Sequence, residues 1–261
     1  MAFILGFDIG NSNTIMGIYS KEGVSPERSF RFRTEKDVTL ESLYSTISSF
    51  IASFENDVKK EILIEGIALS SVVPEVNSKY SDIAITFYDL LPLEINAKVK
   101  LGLIIHYDNY EELGVDRLVN AVAALNEYKK DCIIVDIGTA CTFCVLHGDG
   151  VFDGGLIAPG IGITIDALAD KASQLPRVDF ERPDSLVAHN TIDAIKSGFF
   201  YGWLSMVEGV IDRIEKQYNK EFLLLLTGGF SEVIGKNLKR KNVIDPFLTM
   251  KGIKYIYDLN H

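Results

Sequence analysis

Apolar and polar residues change their period along this chain in a way that separates strands from helices. Phe3, Ile4, Leu5 and Phe7 lead to Asp8, Gly10, Asn11, Ser12 and Asn13 supply turn chemistry, and a β-type run resumes over 15–19. This stretch predicts strand, tight turn, strand. Residues 28–34 set Arg28, Arg31 and Arg33 against Phe30 and Phe32, the alternation of a half-buried strand with one charged face. Residues 40–54 place Leu43, Ile47, Phe50, Ile51 and Phe54 on one helical stripe, and 62–70 read as a buried strand whose extension ends at Pro74. A helix over 77–90 and a strand over 101–107 are expected next. The order β, β, β, α, β, α is that of an α/β fold with helices on both faces of a mixed sheet.

An alanine-rich helix is expected over 118–128, with Asp116 near its amino end. The opening pattern then returns over 132–146, Cys-Ile-Ile-Val-Asp136-Ile-Gly138-Thr139-Ala-Cys-Thr142-Phe-Cys144-Val-Leu. The Asp-Ile-Gly triplet is repeated, as is a Thr six residues after the Asp, and Asp8 and Asp136 are separated by close to half of the 261 residues. The chain therefore reads as two related halves, 1–118 and 119–261, each with its own hairpin. Residues 153–162 form a glycine-rich apolar passage where backbone can approach a ligand or another element closely, and 164–173 read as a helix. Asn190-Thr191 can cap a long helix to about residue 217, and a buried strand over 222–226 ends at Thr227-Gly228-Gly229.

Hairpin turns of this kind aim several backbone N–H groups, with hydroxyl and amide side chains beside them, at one point, which makes an anion cradle. A carboxylate at the base of such a cradle repels phosphate, so Asp8 makes chemical sense holding a hydrated cation that bridges to phosphate oxygens. Two such hairpins in one chain suit a nucleotide triphosphate held between the halves. Asp116 has two open readings at this stage: an acidic residue in the first turn of a helix stabilises it, and a carboxylate ahead of the second hairpin can also accept a proton.

Composition narrows the class. Nearly half the residues are hydrophobic (47%), enough for a large core, and the net charge of −10 argues against the basic face that nucleic-acid binding needs. No run reaches the roughly 18 apolar residues of a membrane span, and the amino terminus reads as a strand, so a cytoplasmic protein without membrane or nucleic-acid partners is expected. Three cysteines, all between 132 and 144, give no disulfide framework. Cys141 and Cys144 with His147 resemble a redox or metal motif only superficially, since strand residues three apart face opposite ways; buried thiols in a sheet are expected.

Asp8-Ile-Gly-Asn-Ser-Asn-Thr14, Gly114-Val-Asp-Arg117, Asp136-Ile-Gly-Thr139, Gly155-Leu-Ile-Ala-Pro-Gly-Ile161, Asn190-Thr191 and Thr227-Gly-Gly229 together resemble the type III pantothenate kinases, in order and spacing, across nearly the whole chain. The resemblance implies two duplicated ribonuclease-H-like α/β halves of the actin, Hsp70 and sugar-kinase superfold. It further implies that Asp8, Ile9, Gly10, Asn11, Ser12, Asn13, Thr14 and Ile15 bind ATP phosphates, with Asp8 on the Mg2+ side and Thr139 gripping phosphate from the other half. Asp136 would help bind a monovalent cation, K+ or NH4+. Tyr107, Gly114, Val115, Asp116, Arg117 and Thr191 would line the pantothenate pocket, with Asp116 as the base. The implied reaction passes the γ-phosphoryl group of ATP to pantothenate, giving 4′-phosphopantothenate, the first step towards coenzyme A. Two positions depart from the expected family pattern: Cys144 stands where an Asp is expected, and Tyr110 replaces a Pro.

A sugar or sugar-amine kinase of the same superfold, and a non-catalytic nucleotide switch, stay open as alternatives. The helix over 192–214 carries Ile195, Phe199, Trp203, Met206 and Val210 on one side and Phe200, Tyr201, Leu204, Val207 and Ile211 on another. A helix so broadly apolar needs cover on both sides, either within its own chain as a central core helix or from a second copy; the resemblance favours a homodimer, with Gly198 and Gly202 allowing close approach and Thr191 reaching the partner's pocket.

Overall fold

The structure, a computed structural model, describes residues 2–261. Its chain divides into two compact units, one of residues up to 103 with 107–127 and 247–261, the other of residues 104–106 and 128–246.

The first unit is built on a five-stranded sheet, ordered β3-β2-β1-β4-β5. The hairpin of β1 (Ala2–Ile9) and β2 (Asn13–Ser20) puts Asp8 opposite Ile15, β3 (Arg28–Arg33) extends it antiparallel, and β4 (Leu63–Ser71) and the short β5 (Leu93–Glu94) are added in parallel. Side chains alternate across a strand, so Phe3, Leu5, Phe7 and Ile9 share one face. That face is covered by α1 (Leu40–Val58) and α2 (Pro74–Tyr88), whose Leu43, Ile47, Phe50, Phe54, Val76, Tyr80 and Ile83 complete a buried core. The expected stripe of α1 is the one that is buried, and Thr39 caps it by accepting from the Ser42 N–H at 3.2 Å.

The opposite face is covered by α7 (Leu248–Asn260), and α3 (Val115–Tyr128) packs against α7. Small residues make the room: a Cβ at Gly66 would fall 1.8 Å from the Tyr257 hydroxyl, and one at Gly252 would fall 2.1 Å from the Val119 carbonyl oxygen. Because α7 lies on this sheet and α3 packs against α7, residues 107–127 and the last helix belong to the first unit, and the expected cut after residue 118 falls inside α3.

In the second unit six strands are ordered β11-β10-β7-β8-β9-β6. They are β6 (Ile104–Ile105), β7 (Cys132–Ile137), β8 (Ala140–Leu146), β9 (Val151–Pro159), β10 (Leu223–Thr227) and β11 (Val243–Ile244). The β7–β8 hairpin sets Asp136 opposite Thr142. Ile133, Val135, Ile137, Phe143 and Val145 form a core with Ile161 of α4 (Ile161–Lys171), Phe200, Trp203, Val207 and Ile211 of α5 (Thr191–Tyr218) and Ile234 of α6 (Ser231–Gly235).

Several expectations are corrected. The strand expected over 101–107 is only Ile104–Ile105, which joins β9. The glycine-rich passage lies in β9 up to Pro159, and its backbone does approach another element closely, since a Cβ at Gly155 would fall 1.8 Å from the Phe143 carbonyl oxygen. Pro74 opens α2 instead of merely ending a strand, since proline costs nothing at a position whose N–H has no helical partner. For α3 the start moves to Val115, which draws Asp116 into its first turn.

Candidate active site

In the first unit the turn after β1 is tied at both ends. The Gly10 N–H donates to the Asn13 carbonyl at 3.0 Å, and the Ser12 carbonyl accepts from the Thr34 N–H at 3.1 Å. Asn11 and Ser12 are exposed, Asp8 is half-buried, and both ends of the hairpin open to the same turn. Ile9 and Thr14 behave differently. Both side chains are buried, and the Thr14 hydroxyl is shared with Thr34 Oγ1 at 2.9 Å and Tyr80 OH at 3.3 Å, so any ligand meets these two residues through backbone. Burial, and next to it the Asp8 charge, pushes the Tyr19 hydroxyl well above its ordinary pKa.

The start of α3 gathers most of the residues expected around the acceptor. Asp116 Oδ1 accepts the Arg117 N–H at 2.9 Å. A Cβ at Gly114 would fall 2.5 Å from that same oxygen, so glycine there leaves the carboxylate its place. Burial raises the Asp116 pKa from its ordinary value, against the backbone hydrogen bond and charge of Arg117, which lower it. Arg117 is only 3% exposed, and its guanidinium lies 5.7 Å from the centre of the Tyr107 ring. Arg117 thus turns to an aromatic neighbour. A cleft of about 590 Å³, with Leu69, Val72, Asn77, Ile95 and Lys98 in its walls, opens against Gly114 and Val115.

In the second unit Asp136 is the last residue but one of β7 and is half-buried, while Thr139 at the turn is exposed. The turn is closed by the Gly138 N–H donating to the Ala140 carbonyl at 3.0 Å, and the Thr139 carbonyl accepts from Gly160 at 3.0 Å. Gly228 lies over it with φ +87°, and a Cβ there would fall 2.4 Å from Asp136 Oδ1. Glycine is required on both counts. Thr191, the first residue of α5, is exposed, and Asn190 caps the helix by accepting from the Asp193 N–H at 2.9 Å.

The three cysteines are buried, and burial pushes the Cys132 and Cys141 thiols up to about 12. His147 pairs with Asp153 and Lys220 and takes no part in a thiol site. Among the described residues no group of three His, Cys, Asp or Glu is arranged to hold a metal. Ser70 was not foreseen as a site residue: it stands beside Asp8 only because β4 pairs with β1, and no local pattern in the sequence announces that register. Among the described residues no helix is long and apolar enough to cross a membrane.

The two units have the mixed sheets flanked by helices of the actin, Hsp70 and sugar-kinase superfold. Over 97% of its length the chain is similar to the ethanolamine utilization protein EutJ from Carboxydothermus hydrogenoformans (TM-score 0.58, 15% identity, 89% of that chain). It is also similar to the MamK double helical filament chain (TM-score 0.51, 11% identity, 99% of each chain). At such identities these likenesses concern the fold alone. Sequence speaks more directly: the chain is 39% identical over 257 residues, 98% of its own length and 99% of the other, to a type III pantothenate kinase of Halalkalibacterium halodurans. The family model for type III pantothenate kinase matches residues 4–213, so the chain belongs to the type III pantothenate kinase family.

Proposed function

We propose that this protein transfers the γ-phosphoryl group of ATP to the primary hydroxyl of pantothenate, giving 4′-phosphopantothenate, the first step towards coenzyme A. The observation that carries the reading is the start of α3: a half-buried carboxylate of raised pKa next to Arg117, whose guanidinium lies by the Tyr107 ring, with a cleft of about 590 Å³ against the same turn. Phosphoryl transfer asks little covalent work of a protein, so positioning and charge neutralisation dominate. Asp116 accepts the hydroxyl proton, and its burial brings its pKa nearer to neutrality, where a general base is most effective. Tyr107, Gly114, Val115, Arg117 and Thr191 hold pantothenate.

Residues 8–15 take the triphosphate, mostly through backbone N–H groups, and Thr139 adds a hydroxyl. The first turn offers oxygen donors from Asp8, Asn11, Ser12 and Asn13, the set that suits a hydrated hard cation. These side chains would hold Mg2+, which would supply positive charge to offset that of the phosphates. Asp136 takes part in holding a monovalent cation, K+ or NH4+, in the second unit. The working protein is a cytoplasmic homodimer. Supporting that, α5 leaves Ala194, Gly198, Gly202 and Ser205 exposed along one side, and a Cβ at either glycine would meet nothing within 4 Å.

The test compares ATP turnover with pantothenate against a panel of sugars and sugar amines, for the natural chain and for Asp116→Asn. Pantothenate alone should support turnover. The Asn variant should fold, bind ATP and lose on the order of 10² to 10⁴ in rate, as removal of a general base does. Turnover by Asp116→Asn at the natural rate would leave the carboxylate only its role in the first turn of α3.

A further inference from the structure

Ser70 is 0% exposed, and its hydroxyl has no hydrogen-bond partner. Its neighbour Ser71 faces the other way and puts its hydroxyl to use, accepting from the Val73 N–H at 3.1 Å. The parallel register of β1 with β4 pairs Ile4 with Gly66, Gly6 with Ala68 and Asp8 with Ser70. Paired residues of neighbouring strands point to the same face, with the strands about 4.8 Å apart. On this face β4 therefore presents Gly66, Ala68 and Ser70, small residues chosen to admit α7, and the hydroxyl appears only at the position beside Asp8. Packing does not explain it. Alanine fits the same space without the cost of a buried hydroxyl that lacks a partner.

We propose that Ser70 is a positioning residue for Asp8: its hydroxyl donates to the Asp8 carboxylate when that carboxylate turns towards a hydrated cation on the nucleotide phosphates. The proposal rests on the reading of Asp8 as the Mg2+-side residue. Orphaned in the polypeptide alone, the hydroxyl gains its partner when the cation and nucleotide fix the carboxylate. Groups that orient a metal's carboxylate commonly change metal affinity by about tenfold or more when removed.

The test measures ADP affinity by calorimetry in Mg2+ and in EDTA, for the natural chain, Ser70→Ala and Asp8→Asn, with thermal midpoints alongside. In Ser70→Ala the affinity in EDTA should stay as it is, the gain given by Mg2+ should shrink about tenfold, and the thermal midpoint should not fall. Asp8→Asn should lose most of the Mg2+-dependent gain. A Ser70→Ala variant with the full gain, while Asp8→Asn loses it, overturns the role of Ser70 and leaves that of Asp8 standing. Equal weakening of Ser70→Ala with and without Mg2+ would make the residue structural. A full gain in Asp8→Asn would remove the Mg2+ reading of Asp8, and the proposal with it.

Discussion

Asp116 lies in the first turn of α3. A first-turn acidic residue needs no catalytic explanation when it is exposed, because the helix dipole alone favours it there. Here it is half-buried, and burial raises its pKa although Arg117 works in the opposite direction. The raised value has a sign that can be checked. A carboxylate base acts only when ionised, so kcat/KM for pantothenate should fall with acidity through the raised pKa of Asp116, above the usual value of 3.8. For stability the effect runs the other way: a carboxyl whose folded pKa is raised favours the folded state more as it becomes protonated. Activity should therefore be lost on acidification while this group does not itself promote unfolding. An activity limb at or below the ordinary carboxylate pKa would show that Asp116 does not govern it.

The second unit contains a set of titratable groups whose effect belongs to the elements they join. Lys220, just after α5, donates to Asp131 Oδ2 at 2.7 Å and lies 3.1 Å from His147 Nδ1, while Tyr218 donates to Asp153 Oδ2 at 2.6 Å. His106 on the β6 side lies 3.6 Å from Asp153 Oδ1. These contacts fasten the end of α5 to the outer ends of β7, β8 and β9. The Lys220 hydrogen bond holds the Asp131 carboxyl below its usual pKa, and that of Tyr218 does the same for Asp153. Depressed folded values mean stability that is present above the unfolded carboxylate pKa and lost as pH falls through the folded one. Lys220→Met should reduce stability at neutral pH by roughly 0.5–1 kcal/mol, a modest figure because both partners are partly exposed, and should flatten the acid-side loss. Chemical denaturation at pH 7 and at acid pH checks this, and an unchanged acid slope would count against the pairing. Elements of this kind were unevenly legible in the sequence. The α1 stripe and the Asn190 cap are local signals, and both stand as expected. The two-residue β5 and β6 exist only through their sheet neighbours, and α7 is placed in the first unit by contacts far away in sequence. Within the candidate site, motif residues could be read directly, whereas the inward turn of Thr14, the half-buried setting of Asp116 and the Ser70 pairing depend on register and packing.

At the scale of the whole molecule the question is what covers α5. Its buried residues, Phe200, Trp203, Leu204, Val207, Ile211 and Ile214, face the core of the second unit, which explains more of its apolar character than the sequence alone suggested. What stays outside is the small-residue side of Ala194, Gly198 and Gly202, with Ile195 and Phe199 half-buried, and nearby in sequence Leu186 is 62% and Val187 69% exposed. Small residues let two helices approach closely, and the large exposed apolar side chains supply the area that association would bury. Under the proposed homodimer, Thr191 at the start of this helix serves the partner's site, and this can be separated from dimerisation itself. Asp116→Asn and Thr191→Trp are each expected to be nearly inactive as homodimers. If the sites are shared across the dimer, mixing the two and allowing exchange creates heterodimers in which one site has both natural residues, and at full random exchange about one site in four is intact. Activity should then rise to about a quarter of the natural value, with a dimer mass by light scattering throughout. Exchange that proceeds without recovery would put Thr191 in the site of its own chain, and a monomer at assay concentration would leave the exposed side of α5 with some other role.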